Sequence, residues 1–250
     1  MGLDRDCPRP QSSLSNMATS IGTEPERLLI NQHWNYGARV HEEVADVLLA
    51  RLSEGTDLVH GHAVFTRLYQ EQIAALEDFG AFAWALRERH DEGFLSAYLR
   101  YQIRDVRAFW TIVRDHDDDL VTLLRLPSRD EIENLLARLP KTEDSLSDIL
   151  AMRMANLRQG ADQFFAENEI VISVYNKLKH GIPIIREDEN DYRVFHVLLF
   201  RGGVASARFE ITSQMIRRLH RNTQAWSNAL RDLAGLTKIL FDGELLYRSV

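Results

Sequence analysis

Apolar residues recur at intervals of three and four through most of the chain, and this helical period constrains the fold more than any other feature. We expect helices over about 24–52, 63–90, 94–115, 129–139, from 142 or 145 to 180, and 213–241. The clearest apolar stripe, in the third of these, consists of Leu95, Leu99, Ile103, Val106, Trp110 and Val113. Gly160 is expected to kink or interrupt the fifth helix, and the four tryptophans are expected in the core.

The helical pattern of apolar residues ends near Gly181, a residue type that commonly ends helices, and Pro183 follows closely. The segments 182–185, 192–200 and 204–209 are rich in residues that favour strands, and 201–203 predicts a hairpin turn. We therefore predict an all-α protein, a helical bundle with a small β-hairpin insertion before the last helix. Residues 1–22 are expected to be a disordered leader, and 23–250 a single helical-bundle domain with the hairpin at about 182–210.

Composition excludes several classes of protein. The net charge of −7 argues against a surface that binds nucleic acid or anionic lipid as a whole, although a local basic patch is compatible with it. Cys7 is the one cysteine, so an intrachain disulfide is excluded. No apolar run reaches the roughly 18–20 residues of a membrane span. These features predict a cytoplasmic protein with no membrane partner.

The signatures of common cofactor and metal sites are absent from the sequence, and we predict no cofactor and no metal ion. The acidic run at 115–119 is expected to be a solvated helix end, because neighbouring carboxylates repel one another. His60 and His62 are expected to lie in a plain loop, because no third ligand stands in helical register with them.

The segment from Tyr175 to Gly181 brings acid–base groups to the end of a predicted helix. The helix dipole favours the protonated form of His180, whereas Lys177 and Lys179 disfavour it, so the imidazole is expected to titrate near neutral pH. A general acid or base needs such a group, and Asn176 is placed to orient the ring or a substrate oxygen. The same residues also fit an ordinary helix end, where Lys and His satisfy the last carbonyl groups.

This segment resembles the signature of the HEPN superfamily, in which Arg, a polar residue that is often Asn, three variable residues and His close a helix of a four-helix bundle. Asn176 matches the polar position and His180 matches the histidine, whereas Tyr175 stands where the family has Arg. The resemblance covers these few residues and the long-helix bundle predicted around them.

The resemblance implies a metal-independent ribonuclease that often works as a homodimer, with His180 in acid–base work at the ribose 2′-hydroxyl and Asn176 positioning it. Tyr175 carries no positive charge to stabilise the developing charge on the phosphate, and Lys177 or Lys179 would reach it from a different angle. Other members of the family are non-catalytic binding or regulatory modules. We therefore expect a non-catalytic or regulatory module that binds RNA or a protein partner, with a ribonuclease as the alternative.

A second feature bears on RNA. Six arginines and a single acid, Glu210, lie between residues 193 and 221. Arg217, Arg218 and Arg221 fall within about one turn of the last predicted helix, beside His220. Such a patch either contacts phosphates without base specificity or forms a solvated face that balances the acidic loop at 187–191.

Overall fold

The protein is described by a computed structural model over residues 23–53, 58–116, 118–137, 151–162, 164–165, 184–188, 191–200 and 204–247. These residues form a helical bundle, as the sequence predicted, and a small antiparallel sheet. The helices are α1 (Glu24–Tyr36), α2 (Arg39–Ser53), α3 (Leu58–Glu92), α4 (Phe94–Arg100), α5 (Ile103–Asp115), α6 (Leu120–Leu123), α7 (Arg129–Leu136), α8 (helical at 151–162 and 164–165) and α9 (Ser213–Asp242). The strands are β1 (Ile184–Asp188), β2 (Asp191–Phe200) and β3 (Val204–Glu210). Within these ranges, no helix has the length and apolar character needed to cross a membrane.

Side-chain caps explain where several helices begin. At α1 the Glu26 carboxylate accepts the backbone N–H of Thr23 at 2.9 Å, while the Thr23 hydroxyl accepts the N–H of Glu26. Ser128 forms the same reciprocal box at α7, which confirms the predicted start of that helix. At α9 the hydroxyl of Thr212 accepts the N–H of Met215 at 3.1 Å.

The predicted first helix is two helices, because the chain turns at Gly37. A Cβ atom at this position would lie 2.9 Å from the carbonyl oxygen of Ser227, and the backbone has φ of +51°, so only glycine fits. The turn resets the helical phase. Val40 and Val47 are apolar but 71% and 56% exposed, whereas Ala45 is fully buried.

The predicted third helix is also two helices, α4 and α5. The backbone of Gln102 is extended, and its N–H donates to the Asp105 carboxylate at 2.7 Å, which starts α5 on a new axis. Leu99 and Ile103 are therefore exposed, and the prediction that one stripe runs through both helices was wrong at these two positions.

The prediction of a loop at His60 and His62 was also wrong. Both lie in α3, which begins at Leu58 and has 35 residues. One glycine costs a helix about 1 kcal/mol, and Gly61 is tolerated because tertiary packing, rather than local propensity, supplies most of the stability of a long helix.

α3 is the central helix, and it packs against α2, α4, α5, α9 and β2. The main core includes Phe79, Phe82, Trp110 and Trp226. A Cβ atom at Gly160 would lie 2.1 Å from the ring of Trp226, so glycine allows α8 to approach α9 closely. α8 continues through Gly160 to residue 162, so the expected interruption does not occur there.

A smaller cluster, which includes Phe65, Leu68 and Leu219, joins α3 to the first turns of α9. Not all tryptophans belong to the core. Trp34 is 44% exposed, with Lys238 of α9 5.5 Å from its ring centre, and its assignment to the core was wrong.

The strand order is β1-β2-β3, and both pairings are antiparallel. In the centre of the sheet, Phe195 of β2 lies opposite Arg186 of β1 and Phe209 of β3. β2 packs against α3, so the sheet lies beside the central helix and leads directly into α9. The turn predicted at 201–203 falls outside the described residues.

Candidate functional site

Three arginines project from the N-terminal part of α9 into solvent. Arg217, Arg218 and Arg221 are exposed, and the Nε atom of Arg221 donates to the backbone carbonyl of Arg217 at 3.4 Å. Residues three and four apart on a helix are neighbours, so Arg221 lies beside both of the others. We refer to these three residues as the arginine face.

The stability of α9 does not explain the arginine face. The helix starts at Ser213 and has no acidic residue in its first turn. Arginines just beyond that turn lie near the positive end of the helix dipole, and like charges four apart repel by a few tenths of a kcal/mol. The sequence therefore places three positive charges where folding weakly disfavours them.

Within the described part of the chain, no carboxylate forms an ion pair with Arg217, Arg218 or Arg221. Other exposed arginines do have such partners: Arg27 pairs with Glu24, Arg39 with Glu43, Arg129 with Asp119, and Arg153 with Asp232. The arginine face is thus available to anionic groups of another molecule.

The other groups near this end of α9 are less available. His220 is turned away from the arginines, and its Nε2 atom lies 2.6 Å from the Asp46 carboxylate of α2. Arg208 of β3 has a distant ion pair with Glu210, at 3.8 Å. The structure brings together Arg217, Arg218 and Arg221 of the predicted patch. Arg201 is outside the described residues.

The residues that carry the family resemblance are also outside the described residues. Tyr175, Asn176, Lys177, Lys179 and His180 belong to this group, and their assignment to a catalytic or binding site stays a prediction.

A second polar site, which sequence reasoning missed, lies between α2 and α3. The Nδ1 atom of His41 lies 2.5 Å from Oε2 of Glu71, and its Nε2 atom lies 3.2 Å from Oδ2 of Asp78. Arg67 reaches the other oxygen of Glu71 at 2.6 Å. The side chain of Glu71 is only 3% exposed, whereas those of Asp78 and Arg67 are 36% and 57% exposed, so the ionic network is buried at Glu71 and reaches solvent at Asp78 and Arg67.

The contacts of His41 define its protonation state. Ionised carboxylates only accept hydrogen bonds, so both ring nitrogens must donate, and the ring must be the imidazolium. Burial alone would lower the pKa of His41, but hydrogen bonds from the ring to Asp78 and Glu71, together with their charges, raise that pKa to about 9. His41 is therefore charged at neutral pH and is unsuited to act as a general base.

His33 of α1 is the opposite case. Both of its ring nitrogens are buried and lack a hydrogen-bond partner. Its ring packs edge-on against Phe82 and Tyr98, with ring centres 5.3 and 5.4 Å away. Burial lowers the pKa of His33 below its usual range, and the charge of Asp78 opposes this only in part. His33 is therefore neutral at neutral pH.

Two tyrosines lie close enough to Asp78 to feel its charge. Burial and the charge of Asp78 raise the pKa of Tyr98 and of Tyr101, so both phenols stay protonated. We refer to His33, His41, Glu71 and Asp78 as the histidine–carboxylate cluster.

The sequence contained one signal for this cluster. His41 and the buried Ala45 stand four residues apart, which places them on one face of α2. Glu71 and Asp78 stand seven apart on α3, which also places them on one face. A histidine and two carboxylates on facing helical stripes would have predicted an ionic contact.

The acidic run at 115–119 has local roles. Asp115 pairs with Arg114 at 2.6 Å, and Asp119 caps α6 by accepting the N–H of Thr122 at 2.8 Å. Nowhere in the described ranges are three or more His, Cys, Asp or Glu residues arranged to hold a metal ion.

Fold and site together define a class, a helical-bundle protein with an open arginine face. Comparison with known proteins adds nothing to this, because no family model, curated protein or solved structure matches the chain.

Proposed function

We propose that the chain is a HEPN-like helical module, non-catalytic or regulatory, that binds RNA through the arginine face of α9. The observation that supports this most is the group of three exposed arginines with no carboxylate partner among the described residues. A guanidinium group matches two phosphate oxygens at once, which makes arginine well suited to contact a nucleic-acid backbone. The hairpin before α9 is part of the same proposed module.

The spacing of the arginines favours RNA over an acidic protein partner. The net charge of −7 repels any polyanion from the rest of the surface and confines the contact to the arginine face. Neighbouring arginines on adjacent helical turns suit a ligand with regularly repeated phosphates. Such contacts fix the position of the strand and carry no base sequence information.

Binding to a short fluorescent single-stranded RNA, measured by anisotropy at low salt, tests the proposal. The variant carrying Arg217→Gln, Arg218→Gln and Arg221→Gln is compared with a matched variant carrying Arg27→Gln, Arg129→Gln and Arg153→Gln. Both variants lose three positive charges, but the second loses only arginines already paired with carboxylates.

We expect the first variant to bind RNA at least about tenfold more weakly and the matched variant to bind nearly as the wild type does. Equal loss in the two variants would mean that only net charge matters. Wild-type protein that does not bind RNA, but binds an acidic protein through the same arginines, would replace the RNA proposal with a protein-binding one.

The alternative function is a metal-independent ribonuclease that uses His180 as general acid or base, with Asn176 and a nearby lysine. It predicts RNA cleavage in the presence of a chelator that leaves cyclic-phosphate ends. His180→Ala should then abolish cleavage while the protein stays folded by circular dichroism. Full activity in that variant would remove His180 from the mechanism.

A further inference from the structure

Two consecutive helices each carry one histidine that is influenced by the same carboxylate of α3. His41 of α2 is hydrogen-bonded to Asp78, and the charge of Asp78 also acts on His33 of α1. One ring is charged and doubly bonded, whereas the other is neutral and has no partner. Two histidines with opposite protonation states around one acid allow opposite responses to pH.

We propose that His33, His41, Glu71 and Asp78 form a proton-operated latch at the place where α1 and α2 meet α3. With His41 protonated and His33 neutral, two charged hydrogen bonds hold α2 to α3, and the His33 ring of α1 packs edge-on against Phe82 of α3. A change in either protonation state removes one of these attachments. The latch is independent of whether the arginine face binds RNA.

The charged and titratable groups around the latch come from each helix that packs against it. α3 also supplies Arg67, which shares Glu71, and Glu77, whose charge acts on Tyr101. Tyr98 of α4 and Tyr101 face Asp78. On the α9 side, α2 is held by separate polar contacts, in which Glu42 meets Arg231 at 3.4 Å and Asp46 meets His220. These contacts do not involve the latch residues.

Alkaline pH opens the latch at His41. The folded-state pKa of His41 is raised from 6.5 to about 9, so its contribution to stability is fully present below about pH 6.5 and is lost as the pH rises through about 9. A neutral His41 can donate to only one of its two carboxylates. The other carboxylate then remains without the ring as its partner.

Acidic pH opens the latch at His33. Its folded-state pKa is lowered, so its contribution to stability is present above the ordinary value of 6.5 and is lost as the pH falls through the folded-state pKa. A protonated His33 is a buried cation in aromatic surroundings, and the carboxylate whose charge reaches it, Asp78, is already bonded to His41.

The experiment is urea unfolding of the full chain from mildly acidic to alkaline pH, with three single variants. His41→Asn should flatten the loss of stability on the alkaline side and leave the acidic side as it is. His33→Phe, which keeps an aromatic ring, should flatten the acidic side alone. His116→Asn, at an exposed histidine at the end of α5, should leave the whole profile unchanged. Profiles of wild-type shape in both cluster variants would overturn the proposal.

A measurement on the wild type keeps the test decisive if a cluster variant fails to fold. Histidine ring protons are followed by NMR as the pH changes. Hydrogen exchange measures the protection of the backbone amides of α2 over the same pH range. We expect one histidine to titrate near pH 9, another below 6.5, and α2 amides to exchange faster beyond either limit. Histidines that all titrate at ordinary values, or α2 protection that does not change, would overturn the latch.

Discussion

The histidine–carboxylate cluster and the arginine face are both rich in charge, but they differ in whether those charges have partners. In the cluster, His41 meets Glu71 and Asp78, and Arg67 meets Glu71. On the arginine face, no described carboxylate pairs with any of the three guanidinium groups. A charge that is paired inside the fold has an explanation in stability and protonation. A charge that is exposed, that pairs with no described carboxylate and that is weakly unfavourable for its own helix needs another explanation, for which we propose RNA binding.

The largest effect on stability is expected at the histidine–carboxylate cluster. Glu71→Gln leaves the charged His41 and Arg67 with one fewer carboxylate, at a position that is itself only 3% exposed, and we expect it to lower the free energy of unfolding at neutral pH by about 3 kcal/mol. Urea denaturation measures this. Glu43→Gln, at an exposed carboxylate that also pairs with an arginine, serves as the control and should cost less than about 0.5 kcal/mol. Equal losses would show that burial of the pair does not matter.

The next largest effect is expected on RNA binding by the arginine face. If the three arginines contact three phosphates of a single strand, the logarithm of the RNA association constant should fall with the logarithm of the salt concentration. These contacts contribute a slope of about −2. The variant that replaces Arg217, Arg218 and Arg221 with Gln should lose most of that slope, as measured by anisotropy at several salt concentrations. An unchanged slope would place the ionic contacts elsewhere on the chain.

A smaller effect is expected at the start of α9, which presents the arginine face. Thr212→Ala removes the hydroxyl that accepts the N–H of Met215, and the loss of such a cap costs about 1 kcal/mol. Thermal or urea unfolding measures the change. Thr111→Ala, within α5, is the matched control and should stay within about 0.5 kcal/mol of the wild type. A larger loss in the control would argue against the cap as the cause.

The smallest effect is expected on the stability of the arginine-face variant, and measuring it separates a loss of binding from a loss of folding. Because these arginines make no ion pair with a described carboxylate, the variant with Gln at 217, 218 and 221 should keep the wild-type unfolding free energy within about 0.5 kcal/mol, or gain slightly. Urea unfolding measures it. A loss of several kcal/mol would mean that the arginines serve the fold, and the contrast between the two regions would disappear.

The sequence predicted the helical bundle, the start of α7 after Ser128 and the approximate extent of α9, because these follow from apolar periodicity and local caps. It missed the breaks at Gly37 and Gln102. Periodicity continues across a short turn, whereas the tight approach of Gly37 to the carbonyl of Ser227 depends on residues far away in the chain.

The sequence also missed the histidine–carboxylate cluster. The pairing of His41 with Glu71 and Asp78 depends on how α2 packs against α3, which residues within one helix do not define. Local sequence did predict the arginine face, because its three residues are neighbours on one helix. A site assembled from one helix can be predicted from sequence, whereas a site shared by three helices requires their packing.

The most direct test of the central claim is to map where RNA contacts the chain. The protein is crosslinked by ultraviolet light to a short single-stranded RNA, and the modified peptides are identified by mass spectrometry. We expect crosslinks in the first turns of α9, around Arg217 and Arg221, that disappear in the variant with Gln at 217, 218 and 221. Crosslinks confined to other regions, or a complete absence of RNA binding at low salt, would contradict it.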